Sequence, residues 1–318
     1  MEFIKGFSFG FMNKRGEWQD AKTKESLQLL KERCAVEHIV LTVVAEQDTP
    51  QSITINWRNH PNVVSDVETV ELIECANKMS LKVILKPMVN VSDGTWRAHI
   101  NFFDTDVPCE PKWSEWFASY NEYILHYAKI AEEMKCPMFV IGCELVNADR
   151  REAEWRHLIK EVRKVYSGLI TYNCDKYQED VLKWWDAVDV ISSSGYYPID
   201  AWETQLDRIE KVVEKHQKPF FFCEAGCPSW VGGDLLPNDW TKRGEISEEV
   251  QKRWYEAMFQ AASKRSWVKG FALWDWKAHL YPIERASSDQ DYAVYGKAAE
   301  KVIKDYYSSV VGNEERRI

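Results

Sequence analysis

The sequence predicts a single (β/α)₈ barrel, and two observations carry that prediction. Eight short, nearly continuous apolar runs alternate from end to end with eight amphipathic segments, the pattern of strands buried on both faces and of helices covering them. The long irregular stretches, residues 46–65, 89–111 and 225–246, all follow strands rather than helices. In such a barrel that is the end where sites are built, and loops longer than about 15 residues commonly carry function. The length of 318 residues suits one barrel of typically about 250 residues with inserted loops. No internal repeat, low-complexity linker or second domain is read, so residues 1–318 are expected to form one catalytic barrel.

Strands are expected at 3–11, 38–45, 81–88, 137–143, 168–174, 188–194, 219–224 and 269–275. Runs such as Ile39-Val40-Leu41-Thr42-Val43-Val44 and Phe220-Phe221-Phe222 leave no polar face and read as fully buried strands. Helices are expected at 23–35, 66–80, 112–135, 150–166, 178–187, 202–217, 247–266 and 291–309. Ser65-Asp66-Val67-Glu68 opens the second as a capping box. The third shows its buried stripe directly: Trp113, Trp116, Phe117, Tyr120, Tyr123, Ile124, Tyr127, Ile130 and Met134 recur at helical spacing.

Composition narrows the function. A formal charge of −9, from 41 Lys+Arg against 50 Asp+Glu, argues against nucleic acid or an anionic membrane as partner. No apolar run approaches the roughly 18 residues that span a bilayer, and the N-terminus does not read as a signal peptide. None of the eight cysteines forms a C-x-x-C pair, and several lie inside strand runs, so a reduced, cytoplasmic protein is expected. Fifteen tryptophans, with 14 Tyr and 13 Phe, exceed what one core needs. About half are expected in the core, the rest on a surface for flat, partly apolar ligands such as sugars.

Two carboxylates stand out. The fourth strand runs Phe139-Val140-Ile141-Gly142-Cys143 into Glu144, and the seventh runs Phe220-Phe221-Phe222-Cys223 into Glu224. A charge capping a buried apolar strand is costly unless it is paired or exposed in a site. Strands four and seven lie on opposite sides of a barrel's mouth, so the two side chains can face each other. Two carboxyls about 5–5.5 Å apart are the machinery of a retaining glycosidase.

This arrangement resembles the clan A glycoside hydrolases, and within them the chain looks like glycoside hydrolase family 113, the β-mannanases. The matching pieces are Gly6–Gly10 (Gly-Phe-Ser-Phe-Gly), Ile-Gly-Cys-Glu-Leu at 141–145, Phe-Cys-Glu-Ala-Gly at 222–226, Ser-Gly-Tyr-Tyr-Pro at 194–198 and Leu-Trp-Asp-Trp at 273–276. The resemblance implies that Glu144 is the acid/base and Glu224 the nucleophile. It implies that Tyr196 hydrogen-bonds the nucleophile, with Tyr197 as its alternative, and that Trp274 is the platform under the sugar. Asn173 and Lys86, polar groups at the ends of strands five and three, are expected to bind sugar hydroxyls. Most clan members place Asn before the acid/base, where it contacts the sugar 2-hydroxyl. Here that position is Cys143, and the resemblance leaves the contact unassigned. Glu144 is expected in a dry, apolar setting and Glu224 among hydrogen-bond donors.

Competing signals are weaker. Gly6-Phe7-Ser8-Phe9-Gly10 matches a nucleophile elbow, but it lies in the first strand run, where an elbow has no place. No metal or organic cofactor is implied, and the seven histidines do not pair at ligand spacing, although His99 or His279 could touch substrate from loops. The expected activity is that of a retaining endo-β-1,4-mannanase acting on manno-oligosaccharides. The alternatives are another clan A β-glycosidase (β-mannosidase, β-xylosidase or transglycosylase) and a carbohydrate-binding pseudoenzyme.

Overall fold

In the computed structural model, which describes residues 1–314 and side chains as far as Val310, the eight apolar runs pair in parallel and in sequence order to close a barrel. The strands are β1 (Ile4–Phe9), β2 (His38–Gln47), β3 (Lys82–Val91), β4 (Met138–Cys143), β5 (Leu169–Cys174), β6 (Val190–Ser194), β7 (Phe220–Glu224) and β8 (Val268–Trp276). Around them lie α1 (Ala21–Cys34), α2 (Asp66–Lys78), α3 (Trp113–Glu133), α4 (Glu152–Arg163), α5 (Trp202–His216), α6 (Glu248–Ser263) and α7 (Ala298–Glu314). The capping box forms as the sequence predicts: Glu68 N–H donates to Ser65 Oγ at 3.2 Å, and Ser65 N–H to Glu68 Oε2 at 2.8 Å. Among the described residues no helix is long and apolar enough to cross a membrane.

Alternation along each strand divides the core in two. Ile4, Val40, Ile84, Met138, Val140, Val190, Phe221, Cys223 and Ala272 fill the barrel's interior, while Phe7, Leu41, Phe139, Ile141, Phe220 and Phe222 face the helices. The period of two therefore turns Lys86 inward between Ile84 and Met88. It turns Asn173 and Ser194 inward on β5 and β6 in the same way. The pairing register shifts between Val140 and Cys143 on β4 and again opposite Ser194 where it meets Glu224. Such irregularities re-aim side chains at strand ends. Here they sit directly under both carboxylates.

Two segments differ from the expectation. Residues 178–187 form no α-helix; only a short 3₁₀ turn, Trp185–Ala187, appears there. Trp184 and Trp185 are adjacent yet both fully buried, which one face of a helix cannot provide. Glu179, also buried, is drawn to Arg208 and to the Tyr197 hydroxyl. A further long connection, 277–297, follows β8 where the sequence places the start of a helix at 291. The core also takes more of the aromatics than half. Eleven of the fifteen tryptophans are buried, and of the other four only Trp96, Trp240 and Trp274 lie toward the mouth.

Gly142 shows how tightly the outer layer is packed. A Cβ at this position would meet the Tyr120 hydroxyl at 2.8 Å, Tyr172 at 2.9 Å and Trp155 at 3.0 Å. Tyr120 cannot move aside freely, because its hydroxyl donates to Ile141 O at 2.7 Å. Gly142→Ala should therefore destabilise the fold by about 1–3 kcal/mol through overpacking, read as a lower urea midpoint with an unchanged m-value. A midpoint equal to the parent's would show that the aromatic layer is loose.

Candidate active site

The C-terminal ends of β3 to β8 converge on two buried carboxylates. Glu144 follows β4 with φ 52°, in the left-handed region, and its N–H donates to Asn173 O at 2.9 Å. An L-residue there costs about 1–2 kcal/mol, and such conformations persist where the surroundings fix a side chain for use. Glu224 ends β7, only 3% exposed. Gly226 then allows the chain to pass β8 closely, since a Cβ there would lie 2.5 Å from Trp274 O.

Each carboxylate has its own cation. Lys86 Nζ donates to Glu224 Oε1 at 2.5 Å and to Asn173 Oδ1 at 2.8 Å. The Cys143 thiol also donates to Glu224 Oε1, at 3.3 Å, and Tyr196 OH donates to Oε2 at 2.9 Å. Burial works against the Glu224 carboxylate, but Lys86, Arg97 and the Tyr196 hydroxyl overcome it and hold the group below its ordinary range. Burial and the neighbouring Glu224 push the Cys143 thiol up, so it stays a neutral donor. On the other side Arg97 Nη1 donates to Glu144 Oε2 at 3.0 Å, Trp96 Nε1 to the same oxygen at 3.2 Å, and Ser194 Oγ to Oε1 at 2.7 Å. Arg97 is itself held by Val89 O and Asn90 Oδ1. The apolar setting expected for Glu144 is thus replaced by three donors, one of them a guanidinium.

The structure brings five of the six sequence-predicted residues, Glu144, Glu224, Tyr196, Asn173 and Lys86, into one hydrogen-bonded group. Lys86 and Asn173 are fully buried, with their polar atoms committed to protein partners. Trp274 is half-buried on β8, edge-on to Phe11 with centroids 4.6 Å apart. Tyr197 turns away to Glu179, and Trp276 packs below with its indole on Ser26. His99 stands edge-on to Trp96, and His279 faces Asp20 at 3.6 Å. Sequence reasoning missed Trp96, Arg97, Ser194 and Asp175. The loop carrying the first two stands out by its length, and Ser194 opens the Ser-Gly-Tyr-Tyr-Pro motif, but no local pattern marks their contacts. Among the described residues no cluster of His, Cys, Asp and Glu could hold a metal ion.

A barrel presenting two buried, hydrogen-bonded carboxylates after its fourth and seventh strands defines a glycoside hydrolase. The chain matches the model of Glycoside Hydrolase Family 113 over residues 7–297, and it belongs to that family. It is similar to a solved GH113 β-1,4-mannanase at 56% identity and TM-score 0.96, covering 97% of this chain and 100% of that one. It is also similar to the GH113 β-mannanase AaManA from Alicyclobacillus acidocaldarius, solved in complex with ManMIm. That likeness is 41% identity and TM-score 0.93 over 98% of each chain. A β-D-glucuronidase from Dictyoglomus thermophilum shares the fold at 18% identity and TM-score 0.65, across 96% of this chain and 50% of that one. Among curated proteins, none matches.

A third carboxyl lies beside the pair. Asp175 follows β5, nearly buried, with Lys176 at 3.4 Å. Burial first, and then the charge of Glu144, push its carboxyl up to about 7 against the pull of Lys176. A value raised on folding means that the native state loses stability as pH rises from the ordinary 3.8 through about 7. Asp175→Asn should therefore gain stability over the parent across that window, with little difference below it. Urea midpoints at either end of the window check this; a pH-independent difference would contradict it.

Proposed function

We propose that the protein is a retaining endo-β-1,4-mannanase in which Glu224 is the nucleophile and Glu144 the acid/base. The likeness to β-1,4-mannanases along almost the whole chain carries the substrate assignment. The pair of donor-held carboxylates at the ends of β4 and β7 supports the mechanism. In the first step an oxygen of Glu224 bonds to the anomeric carbon as the glycosidic bond breaks, and Glu144 gives its proton to the departing oxygen. In the second, Glu144 takes a proton from water, the water oxygen bonds to the same carbon, and Glu224 leaves as a carboxylate. Arg97 and Trp96 on one oxygen and Ser194 on the other set the plane of Glu144 before substrate arrives. Trp274, with its partly open face at the mouth, is the floor for the reacting sugar. Trp96 and Trp240, 6.0 Å apart and edge-on, add an aromatic wall from the loops after β3 and β7. The free cysteines, six of them buried, suit the reducing conditions of a cytoplasm, where manno-oligosaccharides rather than polymer are the substrates.

Two inversions restore the starting configuration, so the β-anomer should appear first in proton NMR of early hydrolysis. Glu144→Ala should keep its first step with an aryl mannoside of an acidic phenol, giving a burst of phenol, and should be rescued by azide to the β-mannosyl azide. Glu224→Ala should show neither. An α-anomer appearing first would refute the two-step mechanism, and a burst in the Glu224 variant would reverse the roles.

The same reading makes Lys86 a determinant of the acid limb. The free enzyme needs Glu224 ionised, and burial unopposed by the Lys86 ammonium pushes that carboxyl upward. Lys86→Met should move the acid limb of kcat/KM to higher pH, in addition to lowering kcat by about 10²–10³-fold, as loss of a donor at a developing charge does, because the charge returns to Glu224 in the second step. A limb that stays in place would separate Lys86 from the nucleophile's charge.

A further inference from the structure

Lys86, Asn173 and Ser194 stand in a row between the two carboxylates, all with no exposed surface. The direction of the row is fixed by chemistry. An ammonium can only donate, so the atom of Asn173 facing Lys86 at 2.8 Å is the amide oxygen. The amide NH₂ therefore faces Ser194 Oγ at 2.9 Å and donates to it. The serine hydroxyl accepts there and has one proton left to give, which goes to Glu144 Oε1 at 2.7 Å. Every bond runs one way, from the buried cation outward to the carboxylate. At its other side the same ammonium holds Glu224 directly.

We propose that Ser194, backed by Asn173, is a positioning residue for Glu144, and that the row Lys86–Asn173–Ser194 lets one buried cation serve both carboxylates in alternation. This rests on the roles given above to Glu224 and Glu144. Before the first step the negative charge is on Glu224, in direct contact with Lys86. Forming the bond from Glu224 to the anomeric carbon consumes that charge, while the proton passing from Glu144 to the leaving oxygen creates one on Glu144. The ammonium is then aligned with the new charge through two neutral groups already polarised toward it. A hydrogen bond to an ionised acceptor is roughly twice as strong as a neutral one, so the Ser194 contact counts most in the intermediate. That is when Glu144 must face water as a base. When water attacks, the charge returns to Glu224 and the row relaxes without moving a heavy atom.

Ser194→Ala cuts the row at an uncharged link and leaves both cations in place. With manno-oligosaccharides kcat should fall about tenfold to a hundredfold, the range of one charge-assisted hydrogen bond, with KM changed much less. With an aryl mannoside of an acidic phenol the first step should stay near the parent's rate and the second should slow. A phenol burst should then appear, and azide, which needs no base, should restore turnover. A packing defect would slow both steps and give azide nothing to rescue. Asn173→Leu, nearly isosteric, breaks the row one link earlier and should give the same signature; the double variant should lose no more than the worse single one. Glu144→Ala is run beside them. If it shows no burst and no azide response, the assignment of the acid/base has failed, and this proposal falls with it. If Glu144→Ala behaves as an acid/base variant while Ser194→Ala and Asn173→Leu keep kcat within about twofold, or lose it without burst or rescue, the row alone is refuted.

Discussion

A single buried ammonium sets the terms for the mouth of this barrel. Lys86 points inward from β3 with none of its side chain exposed, where an unpaired cation would cost several kcal/mol. Glu224 neutralises it, and Asn173 takes another of its three protons. The dependence is mutual, because removing either member strands the other's charge in a dry interior, at about 3–5 kcal/mol. From that pairing the rest is constrained in turn. Asn173 must present its oxygen to the lysine, so its NH₂ needs acceptors elsewhere and finds Ser194 Oγ and Cys174 O. Glu224 has acceptor positions left over, and the Tyr196 hydroxyl and Cys143 thiol fill them. On the far side Arg97 is the one cation among the three donors to Glu144, and it faces the oxygen that Ser194 leaves free.

The strands were legible in the sequence because parallel strands buried on both faces leave unbroken apolar runs, and residues such as Ile39–Val44 or Phe220–Phe222 fit little else. The two glutamates were legible for the same reason, as charges interrupting those runs. Lys86 and Asn173 could be read as polar groups at strand ends, but what they touch could not. Only closure of the barrel brings β3 across to β7, and that is a property of the whole chain. The shifts in register beneath Glu144 and Glu224 left no mark in the sequence, since a bulge needs only one residue more than its partner strand. Arg97 was invisible because a loop has no period to violate. The helix expected at 178–187 failed where local pattern and tertiary demand conflict. The apolar spacing allows a helix, but burying both Trp184 and Trp185 and satisfying Glu179 requires an irregular path.

The tryptophan excess has a structural meaning that composition could not supply. Trp113 donates to Phe102 O, Trp155 to Ala148 O, Trp184 to Asp149 O, Trp185 to Glu179 O and Trp254 to Tyr197 O, at 2.8–3.1 Å. Every one of these carbonyls lies in a loop that follows a strand, on the side of the barrel where the carboxylates sit. A phenylalanine would fill the same space but leave a buried carbonyl unpaired, and a small polar residue would bond the carbonyl but bury too little surface to anchor a loop. Indole does both. The loops it clamps are those that carry Arg97 and Trp96 after β3, the backbone beyond Glu144 after β4, and Tyr196 after β6. Their side chains must hold two carboxylates with bond lengths fixed to a few tenths of an ångström, which a loop free in solvent would not achieve. The aromatics expected to touch sugar therefore act mostly one layer back, and the same residue type that suits a sugar's face also suits the underside of the loops that surround it.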